Sequence, residues 1–115
     1  MSFEEEKEEC LRLLKEAKNS KEKAKILWAF LKKATQEELL KTVADDQFWE
    51  QIPRTYDNLV HENLGAATDF SNNLDNLFKV WNLNYIFNKM FYEYDIKKDI
   101  PLEKLFTPIT TNKDR

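Results

Sequence analysis

A chain of 115 residues, 42% hydrophobic and 13% aromatic, is long enough for one domain with its own core and too apolar to stay disordered. One glycine and three prolines exclude an all-β fold, which needs many tight turns, and a single cysteine excludes an internal disulfide. The net charge is −3, and the stretch 44–78 carries seven carboxylates against the single base Arg54, so the middle of the chain repels nucleic-acid phosphates and attracts basic partners.

The N-terminus reads Met-Ser-Phe-Glu-Glu-Glu, with no apolar run of the kind a secretory signal needs. No segment approaches the ~18 apolar residues of a membrane span. These features, with one unpaired cysteine, set the expectation of a cytosolic protein in a reducing compartment. Ser2 predicts the cap of a first helix, with Glu5 at the capping-box position and Glu4 to Glu6 favoured by the helix dipole. Cys10, Leu11, Leu14 and Ala17 form its apolar stripe, and the helix is expected to end near Lys18 and Asn19. Cys10 reads as a small buried hydrophobe. Ser20 predicts the cap of a second helix to about Ala34, with Ala24, Leu27, Trp28 and Leu31 inward and five lysines outward.

Thr35-Gln-Glu-Glu38 is a second capping box and opens a short helix with Leu39, Leu40 and Val43 facing in. Asp45 and Asp46 then cap a brief turn that holds Phe48, Trp49 and Ile52. Pro53 suits a first helical position, so a fourth helix is expected over 53–64, buried through Tyr56, Leu59, Val60 and Leu64 and stopped by Gly65. Residues 66–70 read as a connector, with Asp69 or Ser71 capping a fifth helix. The stretch 71–95 reads as one long helix with two apolar sides: Leu74, Leu77, Phe78, Trp81, Tyr85 and Tyr92 on one, Leu83, Phe87, Met90 and Tyr94 on the other. A helix apolar on two sides is expected at the centre of a bundle. A short last helix is expected over 99–106, and 107–115 as a frayed tail. The fold expected is therefore all-α: a single-domain bundle of five to six helices over 1–106, around the aromatic helix 71–95.

One constellation bears on catalysis. His61, the single histidine, lies seven residues after Arg54 on the same predicted helix, hence on one face with Asp57 and Asn58. The run Arg-Thr-Tyr-Asp-Asn-Leu-Val-His resembles the Arg-x4–6-His signature of HEPN-domain ribonucleases. That resemblance implies a helical bundle, usually dimeric, with the Arg/His faces of two subunits meeting in a cleft. It implies a metal-independent reaction in which His61 moves a proton at the ribose 2′-hydroxyl or the leaving oxygen and Arg54 stabilises charge on the phosphate.

The leading expectation is a different one. The chain contains no glycine-rich phosphate loop and no Cys/His cluster, and Asp45, Asp46 and Glu50 lack the spaced oxygens and glycine of a calcium loop. No cofactor and no metal are expected. Size and charge point to a non-enzymatic inhibitor that works by occlusion: an immunity protein or antitoxin, or a phage-type inhibitor of a nucleic-acid-handling enzyme. The expected partner is a basic toxin or nuclease, not nucleic acid and not a membrane. The expected contact surface is Asp45, Asp46, Glu50, Asp57, Glu62 and Asp69, with Trp49 and Tyr56 as aromatic anchors. A third expectation is a structural bundle that pairs with a copy of itself, as a homodimer, through one aromatic stripe.

Overall fold

Six helices succeed one another in the computed structural model, which describes residues 2–99. They are α1 (Phe3–Glu16), α2 (Ser20–Leu31), α3 (Gln36–Ala44), α4 (Gln51–Glu62), α5 (Leu64–Val80) and α6 (Asn84–Asp99), with no strand among the described residues. The all-α bundle expected from composition and periodicity is the observed architecture. The last helix over 99–106 and the tail 107–115 were expected in a region that lies outside the described residues.

Both capping boxes form. The Ser2 hydroxyl accepts the Glu5 amide at 3.2 Å, and the Glu5 carboxylate accepts the Ser2 amide at 2.8 Å. Thr35 and Glu38 repeat the exchange at 3.2 and 3.0 Å. Each pair satisfies two amides that the helix itself leaves free. At α2 the cap is Asn19, one residue before the expected Ser20. Asn19 Oδ1 accepts the Glu22 amide at 2.9 Å, and Glu22 reaches back to the Lys18 amide at 2.8 Å. Ser20 is thereby drawn into the helix and buried, where its hydroxyl donates to Glu62 Oε2 at 3.0 Å.

The fourth helix begins at Gln51 and not at Pro53. Proline stands third, within the first turn, where its missing amide removes no helical bond. Gly65 does not stop this helix. Asn63 closes α4 through its amide on the Leu59 carbonyl at 2.7 Å and opens α5 through its side chain on the Ala66 amide at 3.1 Å. One residue does both jobs, so the connector expected over 66–70 is helix, and neither Asp69 nor Ser71 is a cap. The buried face of α4 is also shifted: Ile52, Pro53, Thr55 and Leu59 are inside, Tyr56 is half-buried, and Val60 and Leu64 are exposed.

The helix expected over 71–95 is two helices. Trp81, Asn82 and Leu83 form an elbow with Asn82 in the left-handed region at φ 59°. The Asn82 amide donates to the Lys79 carbonyl at 3.0 Å and the Leu83 amide to the Phe78 carbonyl at 2.7 Å, while Leu83 packs into the core beside Phe78. These are the two crossed bonds and the apolar contact of a Schellman stop, with asparagine in the place glycine most often takes. The two-sided stripe is thus two one-sided stripes. Ala67, Phe70, Leu74 and Phe78 are the buried face of α5, and Leu83, Phe87, Met90 and Tyr94 that of the elbow and α6. The central layer is the mutual packing of α2, α4 and α5, with α1 on α2 and α6 against α4 and α5. Two aromatic chains run through this core. Phe3, Phe30 and Phe48 link α1, α2 and the turn 45–50, and Phe78, Phe87, Phe91 and Tyr56 link α5, α6 and α4, with ring centroids 4.9–5.6 Å apart.

Candidate functional site

The eight residues expected at a contact surface fall into separate places. Asp45 begins the turn after α3, where its Oδ1 accepts the Gln47 amide at 2.8 Å and its Oδ2 meets Lys7 Nζ of α1 at 2.7 Å. The Lys7 hydrogen bond holds the Asp45 carboxyl below its ordinary range, and the same bond raises the Lys7 ammonium. Glu50 takes Lys97 of α6 at 2.9 Å and Arg54 at 3.6 Å. Asp57 faces Lys98 at 3.6 Å. Glu62 is exposed and accepts the Ser20 hydroxyl. Tyr56 packs edge-on against Phe91. Three of the carboxylates that sequence composition counts as available are therefore met by lysines from the ends of the chain.

Asp46 and Trp49 come together at a cleft of about 350 Å³ between α3, the turn 45–50 and α6. Its floor is Val43, Ile86 and Met90, and its walls are Leu40, Ala44 and Trp49. The rim is Asp46 on one side and the Lys89–Glu93 pair, 3.9 Å apart, on the other. Helix α3 reaches this place because its capping box sets its start, and α6 because the elbow turns Met90 inward. Lys97 adds a cation 5.7 Å from the Trp49 ring centre while it bonds Glu50. Sequence reasoning assigned Met90 to the core and missed Ile86, Lys89 and Glu93 as site residues, since they lie ~40 residues from Asp46. The i, i+3, i+4, i+7 spacing of Ile86, Lys89, Met90 and Glu93 marks one helix face and was the available signal.

Arg54 and His61 are both exposed on α4, as the seven-residue spacing predicts. His61 Nδ1 lies 2.9 Å from the Asp57 carbonyl oxygen. A carbonyl only accepts, so Nδ1 is the donor in this contact, and in the neutral ring Nε2 is then the acceptor nitrogen. Arg54 leans on Glu50. Neither residue lines the α3–α6 cleft.

A second cleft, about 360 Å³, lies between α1 and α2, over Cys10, Leu13, Ile26 and Phe30, with Glu6, Glu9, Lys25 and Lys33 at its mouth. Burial pushes the Cys10 thiol up to about 12, which suppresses the reactive thiolate. A third, about 190 Å³, holds Asp69 with Lys21, Lys25, Trp28 and Asn73 between α2 and α5. Arg54 and His61 stand outside both of these clefts as well. Among the described residues no three His, Cys, Asp or Glu side chains are grouped to hold a metal ion, and no helix is long and apolar enough to cross a membrane. No protein-family model matches the chain, and no curated protein and no solved structure shows significant similarity to it.

Proposed function

We propose that this protein is a non-enzymatic binding protein that inhibits a basic partner, a toxin or a nucleic-acid-handling enzyme, by covering its working surface. The observation that supports this reading is the α3–α6 cleft, apolar on its floor, with Trp49 on its wall and carboxylates at its rim. Its volume admits one or two large side chains. An arginine or lysine of the partner would lay its stem on Trp49 and Ile86 and bring its charge to Asp46. Lys97 makes this kind of contact with Trp49 and Glu50 from within the chain, which illustrates the chemistry the surface accepts. In such interfaces one buried aromatic anchor carries much of the affinity, and rim charges set the association rate.

The test is capture of a basic protein from host extract at low salt, followed by binding kinetics with the purified partner. Association is expected to slow as salt rises, and Asp46→Lys to slow it about tenfold further. Trp49→Ala is expected to speed dissociation by about tenfold or more. A partner whose kinetics are unmoved by either substitution removes this cleft from the interface.

The orientation of His61 favours a second reading, RNA cleavage without a metal. Nε2 would take the proton of a ribose 2′-hydroxyl, and Arg54 would turn from Glu50 to the phosphate. Degradation of RNA by the pure protein, lost on His61→Ala with the helical content kept, would replace the inhibitor reading with this one.

A further inference from the structure

The elbow between α5 and α6 joins two helices whose buried faces point opposite ways along the chain. At ~100° per residue, the buried stripe of α5 and that of α6 stand about half a turn apart. Only the elbow lets both enter one core. It consists of three residues, Trp81, Asn82 and Leu83, without glycine or proline, and Asn82 holds a positive φ there. Leu83 gives its carbonyl to the Ile86 and Phe87 amides, but its side chain has no oxygen with which to cap α6. Two aromatic residues beyond the elbow find no core. Tyr85 and Tyr92 are each 66% exposed. Counted along a straight helix, they fall in line with Leu74, Phe78 and Trp81, on the stripe of α5 and not on that of α6.

We infer that the chain has a second arrangement, a reciprocal domain-swapped dimer. The elbow straightens, 64–99 becomes one helix of about 54 Å at ~1.5 Å per residue, and α6 leaves its own bundle. It seats in the same place on α4 and α5 of a second copy, which returns its own α6. Every contact of α6 is made again between copies: Phe87 on Phe78, Phe91 on Tyr56, Lys97 on Glu50. The half-turn offset requires this geometry, because a straight helix shows its first stripe to one body and its second to a body on the opposite side. The gains over the bent form are removal of the left-handed residue and continuous helical hydrogen bonds through the elbow. Short hinges under local strain are where such exchange occurs. The inference is independent of the inhibitor reading, since the α3–α6 cleft persists in the dimer with its walls drawn from two chains.

The test is refolding from guanidinium at micromolar to millimolar chain, then size exclusion with light scattering. Asn82→Ala disfavours the left-handed elbow and favours the straight helix. It is expected to shift the balance about tenfold per elbow, hence about a hundredfold in the dimer association constant. Asn82→Gly is expected to shift it toward monomer. Asn82 is exposed, so both variants keep the core. The identity of the dimer is read by co-refolding equal parts of light and 15N-labelled chain and coupling Lys97 to Glu50 with a carbodiimide. In the swapped dimer half of the Lys97–Glu50 links join a light to a heavy peptide. An Asn82→Ala protein that stays monomeric at millimolar concentration overturns the inference. So does a dimer whose links are all within one isotope, since its copies then associate with their elbows intact.

Discussion

Lys7 and Asp45 tie the first helix to the end of the third, and their titration has a definite sign. The Asp45 carboxyl is held below its unfolded value, first by the Lys7 hydrogen bond. It therefore contributes stability that is present above about pH 4, its unfolded range, and is lost as pH falls through the lower folded value. Lys7 is raised, so its contribution is present below about pH 10 and is lost as pH rises through the folded value. The pair is partly buried, and Asp45→Asn is expected to cost about 1 kcal/mol at pH 7. That difference should close as the pH of a urea titration is taken below 4, and a cost constant from pH 7 to pH 2 would assign it to something other than charge. At Cys10 burial pushes the thiol up to about 12, and the residue is 3% exposed. Its reaction with a disulfide reagent at pH 8 is expected to be about a hundredfold slower in the folded chain than in guanidinium. Equal rates would mean that α1 opens readily from α2. The inert cysteine was legible in the sequence, as a small apolar residue on the stripe of Leu14. The Lys7–Asp45 pair was not, because nothing in either local pattern brings positions 7 and 45 together.

Among the helices, the caps decided where sequence reading succeeded. Ser2 and Thr35 carry a glutamate three residues later, and both helices start where that spacing predicts. Asn63 shows the opposite case. It ends α4 and begins α5 with no residue between them, so its amide and its side chain serve different helices. Asn63→Ala keeps the amide bond and loses the side-chain cap, at an expected cost of about 1 kcal/mol in thermal or denaturant unfolding. Unchanged stability would show that the Ala66 amide finds water as good a partner. The glycine two residues later lies inside α5 and does not mark this joint. Gly65 has no positive φ, and a β-carbon there would meet only the Asn63 side chain at 3.6 Å. The elbow was hidden for a related reason. Asparagine is a weaker mark of a left-handed stop than glycine, and aromatic residues on both sides of Asn82 read as one buried helix when taken in sequence. The physical clue was the half-turn between the stripes, since one helix seldom buries two full faces at the same depth in so small a bundle.

Across the molecule, the charge of a segment differed from the charge of a surface. The acids of 44–78 sum to a marked excess in sequence, yet Lys7, Lys97 and Lys98 arrive from the two ends of the chain to meet Asp45, Glu50 and Asp57. Asp75 is met by Lys79 of its own helix, while Asp46, Glu62 and Asp69 stay exposed in separate places, so the proposed cleft was legible in Asp46 and Trp49 and not in the α6 side chains that complete it. The elbow is, besides a turn, a matter of phase. Its two helices are in register with one core only because the chain bends between stripes set half a turn apart. Two residues inserted after Asn82 would advance the second stripe by roughly 200°. Both stripes would then lie along a single line, and the chain would have no reason to bend. The spacing between Phe78 and Leu83 thus sets a choice of molecule: this count of residues suits two helices bent about one core, and a count only two greater would suit a straight amphipathic rod that must find its cover elsewhere.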